Sequence, residues 1–85
     1  LEKIKIGKFK GISGIEHEIM YVNDGRETYL YVELKNPNIE DIVKTIAVAL
    51  DLKLKPYVVV RSGNLPGEWV KEISRVGGKV IRKAK

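Results

Sequence analysis

Glu16, Glu33 and Lys35 are the residues of this sequence whose types and spacing are best suited to chemistry. Residues 15–22 and 27–35 each alternate in polarity as strands do, and Asn23-Asp24-Gly25 between them reads as a hairpin turn. That turn sets Glu16 opposite Glu33 on one face of the sheet, with Lys35 two residues further on. Like charges placed directly opposite each other destabilise a sheet unless a cation neutralises them. Two carboxylates a cross-strand distance apart, with the intervening backbone carbonyl, form a hard oxygen site suited to Mg²⁺. A lysine beside such a site can orient or deprotonate a water for attack on a phosphodiester, while the metal stabilises the developing charge. The same carboxylates have another use that needs no metal. Lys10 lies opposite Glu16 and Lys8 near Glu18 across the preceding hairpin, so these residues can form cross-strand ion pairs worth well under about 1 kcal/mol each.

The elements that would position this set are legible along the chain. Residues 2–12 alternate as Lys3 and Lys5 against Ile4 and Ile6, then slip at Gly7 to Lys8 and Lys10 against Phe9. A slip at glycine is the pattern of a β-bulge, which would place all four lysines on one face and Ile4, Ile6 and Phe9 on the other. Ile12-Ser13-Gly14 suits a three-residue hairpin loop with Gly14 left-handed. In the second strand His17, Ile19 and Tyr21 share the apolar face, and Glu16, Glu18, Met20 and Val22 the other; in the third, Leu30, Val32 and Leu34 oppose Tyr29, Tyr31, Glu33 and Lys35. Asn38 caps a helix whose apolar stripe is Ile39, Ile42, Val43, Ile46, Ala47 and Leu50. The consecutive valines within residues 55–61 predict a strand buried on both sides. Pro66 starts a second helix carrying Trp69, Val70, Ile73 and Val76, Gly77-Gly78 ends it, and residues 79–82 make a last strand. The expected fold is α/β (α+β): order β-β-β-α-β-α-β, one mixed five-stranded sheet in order 1-2-3-4-5, with both helices on the Ile4/Ile19/Leu30 face.

Composition bounds the function. The 85 residues form one domain, 1–85, with no cysteine, no glutamine and a net charge of +5. Lack of cysteine excludes disulfides, thiolate zinc sites and a cysteine nucleophile, and fits a reducing cytoplasm. No apolar run approaches the roughly 18 residues of a membrane span. Ile and Val supply twenty residues and Lys and Glu another twenty, a thermophile-like balance. Net charge is +3 over residues 1–11, −4 over 12–34, −1 over 35–52 and +7 over 53–85, so basic ends flank an acidic middle. That distribution is either ordinary solvated surface or a phosphate-binding surface around an acidic centre.

At this point the chain resembles a known family. Glu33-Leu34-Lys35 at the end of a third antiparallel strand, followed by a helix and another strand, resembles the core of PD-(D/E)XK nucleases of the restriction-endonuclease-like, Mrr type. Gly11-Ile12-Ser13-Gly14-Ile15-Glu16 is similar to the Gly-rich turn and acidic residue that open the family's second strand. Residues 58–63 and Gly77-Gly78-Lys79-Val80-Ile81 are similar to its distal strand–helix–strand. The match is loose over residues 11–82. It implies Mg²⁺-dependent cleavage of DNA, with Mn²⁺ as a substitute, Glu16, Glu33 and the Leu34 carbonyl as metal ligands, and Lys35 at the motif lysine. Glu16 stands where the family usually has Asp, and the family's helix before the first strand has no counterpart here. The 85 residues are therefore expected either to be a fragment or to cover the exposed sheet face by homodimerisation.

The remaining candidates concern nucleic acid, DNA rather than RNA. Lys3, Lys5, Lys8 and Lys10, with Tyr29 and Tyr31, could contact backbone and bases, although the tyrosines also suit packing against a missing helix or a dimer partner. Arg61, and Asn64 in the Ser62-Gly63-Asn64 loop before the second helix, are placed for a phosphate. Arg75, Lys79, Arg82, Lys83 and Lys85 form a basic end. His17 on the apolar face reads as a satisfied, half-buried histidine. Two other functions stay open beside the nuclease: a non-catalytic basic nucleic-acid-binding module and a small homodimeric structural domain.

Overall fold

The structure, a computed structural model, describes residues 3–83, so Lys85 of the basic end lies outside the described residues. The elements follow the expected order: β1 (Lys5–Lys10), β2 (Glu16–Asn23), β3 (Thr28–Lys35), α1 (Ile39–Leu52), β4 (Lys55–Ser62), α2 (Gly67–Arg75) and β5 (Lys79–Arg82). They build one mixed sheet in the order β1-β2-β3-β4-β5, with β2 antiparallel to both neighbours and β3–β4 and β4–β5 parallel. Parallel crossovers of the usual right hand carry both helices to one face. There Leu34, Val58 and Val60 pack with Ile42 and Ile73, and Ile19 and Leu30 pack with Ala49. Val58, Val59 and Val60 are at most 3% exposed, as two-sided burial of the central strand requires.

Local chemistry fixes the helix ends. Asn38 Oδ1 accepts from the Asp41 N–H at 2.9 Å while Asp41 Oδ2 accepts from the Asn38 N–H at 3.0 Å, a reciprocal capping box. Gly77 closes α2 at φ +80°, and a Cβ on Gly78 would fall 2.6 Å from Pro56 Cγ and 2.7 Å from Ile73 Cγ2. The inward face of α1 differs from the expected stripe. Ile42, Thr45 and Ala49 are buried, whereas Ile39, Val43 and Leu50 are at least half exposed. Thr45 can face inward because its hydroxyl donates to the Asp41 carbonyl at 2.8 Å, which satisfies the polar atom and leaves the methyl to pack.

Two expectations of register are corrected. The β1–β2 ladder runs without interruption from Lys5↔Tyr21 to Lys10↔Glu16, so Gly7 carries no bulge. Lys5 therefore shares the helix-side face with Phe9, while Lys8 and Lys10 share the other with Ile6, and Ile4 lies with Val22 on that second face. Gly7 is needed for a different reason. The Phe9 and Tyr21 rings meet edge-on across it at 5.1 Å, and a Cβ would lie 3.1 Å from Tyr21 Cε1. The second correction is the β2–β3 turn. Its loop spans Asp24 to Glu27, closed by the Asp24 N–H donating to the Glu27 carbonyl at 3.0 Å. Asp24 Oδ1 accepts from the Arg26 and Glu27 amides, so the aspartate organises a longer loop than a tight turn and shifts the register.

The second face of the sheet carries Val22, Tyr29, Tyr31 and Val59, with Tyr57 and Ile81 against them, and no helix among the described residues covers it. No helix among the described residues is long and apolar enough to cross a membrane.

Candidate functional site

β2 and β3 are paired only between Asn23↔Thr28 and Met20↔Tyr31. Beyond that point Glu16–Ile19 pair with β1, and Val32–Lys35 pair with β4. The parted strands open a cleft of about 480 Å³ that reaches down to α1. Glu16, Glu18 and Glu33 line it, together with His17 at the strand and Asp41 and Lys44 on the helix. The fork thus gathers the acidic residues singled out in the sequence into one cleft, but not in the expected register. Counted on from Met20↔Tyr31 past the end of the ladder, Glu18, not Glu16, is the β2 residue in step with Glu33. Glu16 is paired across β1 with Lys10, and Glu18 with Lys8.

Glu33 is the most heavily engaged of these carboxylates. Arg61 Nε donates to its Oε2 at 2.7 Å, Arg61 Nη2 reaches the same oxygen, and the Tyr31 hydroxyl donates to it at 3.3 Å. Arg61 holds the Glu33 carboxyl below the usual glutamate range, with Tyr31 and the charge of Lys35 pulling the same way. Burial, and then the carboxylate beside it, push the Tyr31 phenol up. Alternation along β4 sets Arg61 on the same face as Val59, the partner of Glu33, and a register shift follows there: Leu34 pairs with Val60 but Lys35 with Ser62. Lys35 lies beyond the shift, and Lys44 is the lysine that lines the cleft.

The remaining sequence candidates divide. Tyr29 and Tyr31 are 7% and 8% exposed, so they are walls of a cavity rather than projecting platforms for bases. Lys3, Lys5, Lys8 and Lys10 are exposed but split between the two faces. Asn64 is exposed in the loop before α2, where Gly63 at φ +85° packs closely on Asn36.

One organising residue was not foreseen. Asp51, in the last turn of α1, accepts from the Ser13 N–H at 2.8 Å, the Ser13 hydroxyl at 2.7 Å and His17 Nε2 at 2.7 Å. Its backbone carbonyl also accepts from the Ile12 N–H at 2.9 Å. A Cβ on Gly11 would overlap the carboxylate, so the glycine admits the contact. His17 holds the Asp51 carboxyl below its usual range, with Ser13 adding to the effect. Ser13 and His17 both donate to Asp51 rather than to each other, which makes the group a tether between the β1–β2 loop and α1, not a nucleophile with its base. A signal was present in the sequence: a carboxylate at a helix C-terminus opposes the helix dipole and calls for partners elsewhere.

Among the described residues, no three His, Cys, Asp or Glu side chains are grouped so as to hold a metal by themselves. The carboxylates at the fork are Glu33, whose hydrogen bonds all reach Oε2, and Glu16 and Glu18 of β2. Mg²⁺ commonly uses such a set, keeping several waters and taking one or two carboxylates plus substrate phosphate oxygens. Carboxylate oxygens of this kind are hard donors, the type Mg²⁺ takes. Comparison of the chain with known protein families, with curated proteins and with solved structures finds no match in any of the three.

Proposed function

We propose that this chain is a nuclease-like domain that hydrolyses DNA phosphodiester bonds with Mg²⁺ at the fork between β2 and β3. The observation that carries the reading is the parting of these strands, which brings Glu16, Glu18 and Glu33 into one cleft on a sheet of order 1-2-3-4-5. That order, with Glu33-Leu34-Lys35 ending the third strand, is what the resemblance to PD-(D/E)XK nucleases implies. Glu33 through Oε1 and Glu18 through its place in step with Glu33 are the metal-holding carboxylates, and Glu18 thus takes the place first assigned to Glu16. When bound, the metal would supply electrostatic stabilisation of the charge developing on the attacked phosphate. Lys35, which stands beyond the cleft lining but whose charge acts on Glu33, is the water-orienting group of this reading, and Arg61 keeps Glu33 ionised before substrate arrives. The cysteine-free composition is consistent with the reducing cytoplasm in which this reading sets the domain.

The test is cleavage of single-stranded and duplex DNA with Mg²⁺ or Mn²⁺, comparing wild type with Glu16→Ala, Glu18→Ala, Glu33→Ala and Lys35→Ala. Loss of cleavage with Glu18→Ala and Glu33→Ala, and its retention with Glu16→Ala, is the expected pattern. The non-catalytic binding module is favoured instead by one observation, the Arg61 guanidinium on Glu33 in the place a cation would take. That reading expects steeply salt-dependent DNA binding that survives Glu33→Ala, with no metal-dependent cleavage.

A further inference from the structure

The uncovered face of the sheet holds a second cavity, of about 360 Å³, walled by Tyr29, Tyr31 and Tyr57. Tyr31 and Tyr57 lie 23° from parallel with centroids 6.1 Å apart, and Tyr29 meets Tyr57 at 76°. The near-complete burial of Tyr29 and Tyr31 fixes this aromatic wall in place, and Val22 and Val59 extend its apolar surface. Three exposed cations, Arg61, Lys79 and Lys83, stand around the cavity. Lys79 Nζ lies 5.4 Å from the Tyr29 ring centroid, so one tyrosine face already holds a cation at the rim. The acidic residue among the lining groups, Asp24, commits Oδ1 to the Arg26 and Glu27 amides of its own loop.

An aromatic, apolar interior with a cationic rim matches a flat aromatic group joined to an anion, which is the chemistry of a nucleobase and its phosphate. The volume lies near the lower end of the range of about 300–1,000 Å³ for small-ligand sites. Stacking on the tyrosines needs a free ring face, which a base offers only when it is outside a duplex, and this points to an unpaired strand. The cavity is also joined to the fork. Tyr31 lines both, and Arg61 on the cavity side is the residue bonded to Glu33 on the fork side.

We infer that the tyrosine cavity receives one unpaired base of a single-stranded nucleic acid, with the adjoining phosphates held by Arg61, Lys79 and Lys83. This rests on the nucleic-acid reading above and deepens it by naming the substrate class.

The experiment is equilibrium binding without divalent cations, so that hydrolysis plays no part. The probes are a fluorescent oligothymidylate, an abasic strand of the same length and charge, and a duplex. The oligothymidylate should bind about tenfold or more tightly than the abasic strand and more tightly than the duplex. Tyr57→Ala should remove the preference, Tyr57→Phe should keep it, and Lys79→Ala with Lys83→Ala should weaken both single strands alike. Because loss of the ring could disturb the fold, wild-type NMR gives a second readout: Tyr57 ring signals should shift with oligothymidylate and stay in place with the abasic strand. Equal affinity for the two strands, or unmoved Tyr57 signals, overturns the inference. Base-dependent binding without metal-dependent cleavage would leave the cavity standing and remove the hydrolytic reading. Cleavage that depends on Glu33, combined with equal binding of the two strands, would do the reverse.

Discussion

The β2–β3 pair has two ends built in opposite ways. At the closed end an unbroken ladder runs from Asn23↔Thr28 to Met20↔Tyr31, and Asp24 organises the loop that joins the strands. Its carboxylate at β3, Glu27, is exposed and paired with Lys55 at 3.0 Å. At the open end the ladder stops and each strand keeps its outer neighbour. The role of the missing pairing is taken by the Asp51 tether, which ties His17 and the β1–β2 loop to α1. Glu33 is paired there as Glu27 is at the other end, with an arginine of the neighbouring strand β4. The difference teaches that an ion pair alone does not mark a site. What distinguishes Glu33 from Glu27 is the cleft that the parted strands open beside it, where a ligand can compete for the carboxylate.

The largest separation of the two ends should appear in activity. Glu33→Ala is expected to lower metal-dependent cleavage by about 10²–10³-fold, while Glu27→Ala leaves the rate unchanged; single-turnover cleavage rates check both. Stability should divide the other way. Leu30, 3% exposed and paired with Tyr21 in the closed ladder, should cost about 2–4 kcal/mol on Leu30→Ala in urea unfolding. Glu18→Ala at the fork should stay within about 0.5 kcal/mol in the same measurement.

A smaller effect concerns pH. The folded-state pKa of Asp51 lies below its ordinary value of 3.8, so the tether contributes fully above that value and is lost as pH falls through the lower folded one. Asp51→Asn should therefore reduce stability at neutral pH and flatten its decline below about pH 4, read as the midpoint of urea unfolding against pH. Glu33 has the same sign, with Arg61 as the cause, and because that pair is more exposed than His17–Asp51, Arg61→Ala should flatten the acid limb less than Asp51→Asn. The smallest change should come from Lys55→Ala at the closed end, where the exposed pair with Glu27 is screened by solvent and no measurable shift in midpoint is expected.

Much of this architecture is legible in the residues. Alternation in β2 and β3, the Asn38–Asp41 cap and the three valines of β4 each state their element, because each is a local pattern with one structural solution. Gly14 at φ +87° confirms the three-residue loop of the first hairpin. Gly7 misled, since glycine beneath an aromatic pair and glycine in a bulge leave the same gap in the alternation. The β2–β3 register was hidden in the side chain of Asp24, whose hydrogen bonds lengthen the loop, and so Glu16 was read where Glu18 stands. Arg61 and Asp51 could not be assigned partners from spacing alone, because their contacts join residues 28 and 34–38 positions apart through the fold. The exposed Ile39, Val43 and Leu50 show the limit of a helical stripe, which tells that a face is apolar but not which side the sheet lies on.

A metal-assisted hydrolytic centre at the open end of the β2–β3 pair is the central claim. The most direct measurement is the cleavage of a labelled DNA strand by the purified chain with and without Mg²⁺, wild type beside Glu33→Ala. The account predicts cleavage that requires the metal and is lost on removal of this one carboxylate. Absence of metal-dependent cleavage, or cleavage that Glu33→Ala leaves untouched, would contradict it.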